Sequence, residues 1–489
     1  MSTVATAKTK SAEIRSRLTH PIIDSDGHTA EFEPAVFEYL REIAGPKAVE
    51  RVKTFPAGPF SYRWHRLSWD QRRDERVTRP HWWVHPTKNT LDRATSSLPG
   101  LLHERLDEMG LDFTVIYPSM GLFGLHVGDE DLRLALCRAF NKLNADIYRE
   151  YSDRMTPVAI IPMHSPREAI EELDYAVGKL GMKAIVMASF ARRPIPSVER
   201  SAPEASRYAY WLDTFAMDSD YDYDPVWAKC VELKVCPSFH SPTAGIGFRN
   251  SISNFVFNHI GHFAQSADAI CKSIFLGGVT RRFPQLRFSF QEGGVAWAAT
   301  LYADLISHWE KHSSSAVEKF DPAQIDHDLM RALFLKHGAP YGELKKDPEA
   351  ERSGLLWGSP QEKAEDRDEF ARCEIARKED IRDLFVPKFF FGCEGDDRLT
   401  ALAFDRKKLP FGSRLNALYS SDLGHFDLPD MRDAAAEAYE LVEHELITDD
   451  DFRDFVFANP VHFFTALNRD FFKGTRVEAE ANKLIASEH

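Results

Sequence analysis

Eight short apolar runs limit this chain more than any other feature. Each closes on polar or small residues, and helix-like stretches separate them. They are "PIID" (21–24), "FTVIYPS" (113–119), "TPVAIIPM" (156–163), "KAIVMAS" (183–189), "KVCPSFHS" (234–241), "RFSFQEGG" (287–294), "KFFFGCEGD" (388–396) and "ALYSSDLGH" (417–425). Near-continuous hydrophobicity of this kind fits parallel strands buried on both faces. The clearest intervening helix is "SPREAIEELDYAVGKLG" (165–181). Ser165 reads as its N-cap, Pro166 as its first residue, Glu168 as the partner in a capping box and Gly181 as its stop. Ile170, Leu173, Val177 and Leu180 then share one face. "LLHERLDEMG" (101–110) and "ADAICKSIFLGGVTRRFP" (267–284) precede the second and sixth runs in the same way. The pattern predicts an α/β fold, a (β/α)8 TIM barrel with long helical and loop insertions. An open doubly wound sheet is the alternative, but no G-x-G-x-x-G follows a strand, so dinucleotide binding has no support.

The expected organisation is a flexible tail over residues 1–18 and a single domain over 19–489. Insertions fall near 50–97, 198–224 and 313–380. Loops of that length in a compact enzyme cover or shape a site, or contact another subunit. With 61 basic and 75 acidic residues the net charge is −14, which argues against nucleic acid or an anionic membrane surface as partner. No apolar stretch approaches the roughly 20 residues that span a bilayer. The first twenty residues lack the apolar core of a secretory signal. The six cysteines are scattered without C-x-x-C spacing, so a reducing, cytoplasmic setting is expected.

Barrel enzymes gather their chemistry at the C-terminal ends of the strands. There the first run offers Asp26 and His28, which point the same way at i and i+2. The fifth offers His240, the sixth Glu292, the seventh Glu394, and the eighth Asp422 with His425 just beyond. Acids bunched without partners repel one another, and a divalent cation relieves that repulsion. Asp24 suits hydrogen bonding at the strand end better than ligation. His259 and His262, in "FNHIGHFAQ", read as neighbours on one helical face. His262 is a reserve ligand. His308 and His312, in "HWEKH", lack the glutamate of H-E-x-x-H and read as surface residues. Tyr62, Trp64, Trp69, Trp82 and Trp83 read either as the wall of a large apolar pocket or as packing of the insertion. Arg72, Arg73, Arg76 and Arg79 read as an anion contact or a solvated face.

These motifs together resemble a known family. D-x-H on the first strand, His240 on the fifth, "FLGGVTRRFPQLRFSFQEGG" and "SSDLGHFD" are similar to the aminocarboxymuconate-semialdehyde decarboxylase-like branch of the amidohydrolase superfamily. The likeness covers most of residues 20–430. It implies a metal-dependent TIM barrel whose ligands, carried over by position, are Asp26, His28, His240 and Asp422. Two features depart from that branch: Asp26 stands where histidine or glutamate is common, and Glu292 where histidine is often found. Glu394 adds a further carboxylate. An oxygen-rich set of this kind suits iron or manganese. It resembles the TIM-barrel nonheme diiron monooxygenases, which implies two iron ions per chain, an external reductase and hydroxylation of a bulky, often CoA-linked, substrate. A homodimer also accords with the family. The alternative is one zinc or manganese ion supporting hydrolysis or non-oxidative decarboxylation, with Glu292 as general base. In either case Glu292 and His425 are the expected catalytic residues, His425 by orienting a carboxylate or the substrate.

Overall fold

The computed structural model describes residues 8–54, 63–80, 88–206, 208–241, 247–313, 315–321, 324–346 and 367–487. All eight apolar runs form strands of one parallel sheet. They are β1 (Ile23–Thr29), β2 (Phe113–Pro118), β3 (Met155–Ile161) and β4 (Ala184–Ala188), then β7 (Pro237–His240), β8 (Phe288–Phe290), β9 (Phe389–Glu394) and β10 (Asn416–Ser420). Their order in space is β1-β2-β3-β4-β7-β8-β9-β10, the order of the chain. β5 (Ala191–Pro194), just before the 198–224 insertion, and β6 (Tyr210–Asp213), within it, pair antiparallel outside the barrel. The ring is closed by backbone bonds between β1 and the segment just past β10. Asp422 N donates to Asp26 O (3.1 Å), and His28 N donates to Leu423 O (2.7 Å). Closure removes the sheet edges and gathers every strand's C-terminal end on one rim. The chain is therefore a TIM barrel.

β1 runs further than its apolar residues suggest, through Asp26 and His28, and is buried along its whole length. Between Asp24 and Gly27 its register against β2 slips: Asp24 faces Thr114, whereas Gly27 faces Ile116. This is a one-residue bulge, a device that re-aims side chains at barrel rims. Gly27 is required there, because a Cβ would stand 2.6 Å from Thr114 Oγ1 and 2.8 Å from Asp24 Oδ2. On the other side of the ring, phenylalanines fill the layer around β7, β8 and β9. Phe290 stacks on Phe239 (5.7 Å) and on Phe391 (6.1 Å).

Three local expectations change. Within the expected flexible tail, Lys10–Arg17 is a helix capped by Thr9, with Ser11 and Ile14 buried. Ser11 Oγ accepts from Ala436 N (3.0 Å), so the segment is fastened by a polar contact that apolar patterning does not register. The helix after β3 covers Pro166–Leu173 and continues as a π-helical turn, Asp174–Lys179, towards Gly181 at φ +74°. Ser165 caps it as expected, but Glu168 does not complete a capping box. Its carboxylate instead receives Arg133 in a buried, two-pronged ion pair (2.7 and 2.9 Å). Finally, His259 and His262 do not share a helix. Phe255–His259 and His262–Leu276 are separate, broken at Gly261 with φ +70°.

Candidate active site

The rim brings together residues that the sequence scatters over four hundred positions. Asp26 and His28 come from β1, His240 ends β7, Glu292 follows β8, Glu394 ends β9 and Asp422 follows β10. His28 Nε2 lies 3.4 Å from Asp26 Oδ1 and 3.5 Å from Asp422 Oδ1. Three overlapping groups each present ligand atoms within 4.8 Å of one another: Asp26, His28 and His240; His28, Asp422 and His425; and Glu292, Asp422 and Asp427. Glu394 and His262 lie outside these groups.

Hydrogen bonding tests whether a cation fits. Both oxygens of Asp26, both ring nitrogens of His28, His240 Nε2 and Asp422 Oδ2 are buried without a hydrogen-bond partner. Buried polar atoms are nearly always satisfied, and leaving one bare costs about 1–3 kcal/mol. One such atom each from Asp26, His28 and His240 lies within 4.8 Å of the others, the spacing that a shared cation asks of its ligands. His240 sharpens this. Its Nδ1 is 2.8 Å from Ser241 O, and a carbonyl only accepts, so Nδ1 carries the hydrogen. Nε2 then presents a lone pair, yet Glu292 Oε2 stands 2.8 Å away. Two acceptors at that distance require a proton or a metal ion between them. Asp24, by contrast, is fully employed. It accepts from Thr114 Oγ1 (2.7 Å), from Ser421 Oγ and N (2.8 and 2.9 Å), and from Asp26 N (3.2 Å). As expected, it stitches the strand end rather than facing the centre.

The electrostatics agree. Burial, then Glu292, Asp24 and Glu394, push the Asp26 carboxyl well above its ordinary range. Burial, then Glu292, Asp427 and Glu394, do the same to Asp422. Glu394 is raised by burial, Asp427 and Glu292, so it lies close enough to share this field. His28 is held well below its usual value by burial and by His425 and His240. It therefore stays neutral, as a ligand must. Burial acts upwards on Glu292 as well, but His240 reverses it and holds the carboxyl below its ordinary range. Glu292 and Asp422 also have φ of 57° and 50°, a left-handed backbone that non-glycine residues seldom adopt. Strain of that kind collects where geometry serves a site.

His425 is placed by both nitrogens: Nδ1 is 2.7 Å from Asp422 Oδ1 and Nε2 is 2.8 Å from Ser119 Oγ. Its ring stacks on His28 at 4.0 Å. Asp427 was not singled out in the sequence. It lies five residues past Asp422 in "SSDLGHFD", and that spacing on a rim loop was its only signal. His262 is fully buried beside Phe263 at the start of its helix. His259 faces Phe426 (5.6 Å). His308 is exposed and bonds Asp304 O (2.7 Å), a surface role for the "HWEKH" pair. Of the aromatic cluster, Tyr62, Trp82 and Trp83 lie outside the described residues. Trp64 is packed between Arg72 (3.7 Å) and Arg79 (5.1 Å), and its Nε1 donates to Ile252 O (3.0 Å). Arg79 Nη1 donates to Ser253 O (2.7 Å). Trp64 and Arg79 thus tie the first insertion to the segment after β7, while Arg72 donates to Trp64 O within the insertion. Among the described residues no helix is long and apolar enough to cross a membrane.

Comparison with known proteins accords with the barrel. A family model described as Amidohydrolase matches residues 81–339, just over half of the chain. Among solved structures, an amidohydrolase from Mycobacterium avium subsp. paratuberculosis is 16% identical. The match covers 91% of this chain and 100% of that one, with a TM-score of 0.51. 5-Carboxyvanillate decarboxylase from Sphingomonas paucimobilis is 13% identical over 91% and 99% of the two chains, with a TM-score of 0.49. A dihydroxybenzoic acid decarboxylase from a Polaromonas species, solved with manganese and an inhibitor, is 16% identical over 93% and 100%, with a TM-score of 0.47. At 16% identity the first of these likenesses is one of fold.

Proposed function

The chain belongs to the amidohydrolase family, and from that premise we propose that it is a metal-dependent hydrolase acting on a small organic substrate. One divalent cation, zinc or manganese, is held by Asp26, His28, His240 and Asp422. The observation that carries this reading is the cluster of buried donor atoms without hydrogen-bond partners on β1, β7 and the β10 loop. Two imidazoles and two carboxylates form a mixed nitrogen and oxygen set suited to either metal. When bound, such a cation lowers the pKa of a coordinated water and polarises a carbonyl oxygen. Glu292 serves as the base: its Oε2 stands 2.8 Å from His240 Nε2, beside the proposed cation, placed to accept a proton from water. His425 supports Asp422 through Nδ1 and lines the same rim. Non-oxidative decarboxylation uses the same donors but needs a group that delivers a proton to carbon.

The test pairs elemental analysis of the purified protein with assays on activated esters, lactones, amides and aryl carboxylates. We expect close to one zinc or manganese per chain and hydrolysis that is indifferent to removal of oxygen. Glu292→Gln should keep the metal and lose about 10²–10⁴-fold in turnover, the range of general-base catalysis. Release of carbon dioxide from the aryl carboxylates alone would move the assignment to decarboxylation. Protein that takes up no divalent cation would end it.

One observation favours a second reading. Glu292, Asp422 and Asp427 form a carboxylate group of their own that shares Asp422 with the first, and the charge of Glu394 reaches it. Such a set suits a second cation, and two ferrous ions would support oxygen activation with electrons from a reductase. Two irons per chain and substrate-dependent oxygen uptake would select this reading.

A further inference from the structure

We propose that Ser119 and Glu31 are positioning residues that aim Asp422 at the cation, acting through His425. The inference rests on the metal-centre reading above. It starts from the turn after β2, a segment with no strong ligand of its own. Ser119 N donates to Thr29 O (3.0 Å), which fastens the turn to the end of β1. Glu31 is buried, and its carboxylate receives the next two amides, Met120 N at 2.9 Å and Gly121 N at 3.1 Å. The fit is close: a Cβ on Gly121 would stand 2.8 Å from Pro118 Cβ and 3.2 Å from Glu31 Oε1. A carboxylate is the side chain that offers an acceptor to both amides at once; glutamine would turn a donor on one of them.

The turn held in this way presents Ser119 Oγ to His425 Nε2 at 2.8 Å. The polarity of the chain of contacts follows from its far end. Asp422 must be ionised to ligate a cation and then only accepts, so His425 Nδ1 donates to Oδ1 (2.7 Å). Nε2 of that tautomer is an acceptor, and the Ser119 hydroxyl donates to it. The imidazole is thus fixed in plane and in tautomer from both sides, with its face on His28 at 4.0 Å. Asp422 Oδ1, gripped by His425, is thereby held 3.5 Å from His28 Nε2, and the carboxylate's orientation at the rim is set. Contacts of this kind behind a ligand typically contribute 10–100-fold to metal affinity or activity.

The experiment titrates Co²⁺ into metal-stripped full-length protein, by calorimetry and by the visible ligand-field spectrum of the bound ion. Ser119→Ala should weaken Co²⁺ binding about 10–100-fold and alter that spectrum. Ser119→Thr, which keeps the hydroxyl, should restore both. Because Ser119 acts through His425, Ser119→Ala in a His425→Ala background should cause no further loss. Glu31→Gln should reproduce the Ser119→Ala spectrum. Ser119→Ala with unchanged affinity and spectrum would overturn the proposal, as would full additivity with His425→Ala. Covalent labelling of Ser119 by a fluorophosphonate would make the hydroxyl a nucleophile and overturn it as well. Wild-type protein that binds no Co²⁺ would instead remove the metal-centre reading, a result distinguishable from these.

Discussion

Asp26 sets the terms at the scale of single residues: a fully buried acid with both oxygens lacking hydrogen bonds, surrounded by other acids. Without a cation it is a liability. Asp26→Asn should therefore raise the melting temperature of metal-free protein while abolishing cation uptake, a trade of function against stability that calorimetry with and without Mn²⁺ would read. Glu31 gives a pH signature. Burial, partly countered by the amides of Met120 and Gly121, raises its carboxyl to about 7 from an ordinary 4.5. Between those values the folded chain holds a proton that the unfolded chain has released, so stability falls as pH rises. Below 4.5 the group is protonated in both states and costs nothing; above about 7 the full cost, about 3 kcal/mol, is in place. Glu31→Gln should remove that slope, seen as the wild-type minus variant difference in denaturant unfolding of metal-free protein at pH 5 and pH 8. At this scale the sequence singled out Asp26, His28, His240, Glu292 and Asp422, which the structure gathers on one rim, because acids and imidazoles at strand ends have few other reasons to recur. It did not disclose Asp427, Ser119 or Glu31, whose residue types are ordinary in turns and whose roles come only from what faces them.

Among elements, the seam between β1 and β10 decides the site. Gly424 has φ +101°, and a Cβ there would stand 2.4 Å from His28 O. Gly424→Ala should therefore separate the two strands that carry Asp26, His28 and Asp422. We expect a loss of more than about 1 kcal/mol in unfolding experiments, since the native conformation is incompatible with a side chain, and a lower cation stoichiometry. The helix Pro166–Leu173 carries a different lesson. Its start, cap and stop are local matters and were legible, but Glu168 was drawn from the local capping box to Arg133, thirty-five residues away. Glu168→Ala should cost about 3–5 kcal/mol by stranding a buried guanidinium, well beyond the roughly 1 kcal/mol of a lost cap. Guanidine unfolding separates the two. The π-helical turn that follows and the break at Gly261 were likewise beyond a periodicity argument, which counts spacing but not the bond each amide makes.

For the molecule as a whole, the proposed centre would couple cation binding to folding. If the rim holds a divalent ion, chelation should lower the melting temperature, and adding the ion back at about one hundred times its Kd should restore about 2.7 kcal/mol. A melting temperature unmoved by chelator and by Zn²⁺ or Mn²⁺ would count against the centre. The sequence by itself determined the number of barrel strands, their order, their parallel sense and the rim on which chemistry collects, but not the antiparallel pair β5–β6 outside it. Those follow from short-range periodicity and from the steric rule that a helix between two strands returns the chain to the same end. Tertiary structure alone decided which acids meet. The bulge at Asp24–Gly27 turns β1, and two backbone bonds close the ring between residues at opposite ends of the chain. Asp24 then clasps Ser421 from 397 positions away. Such contacts leave no trace in local pattern, because their energy depends on register and distance, which exist only once the barrel has closed.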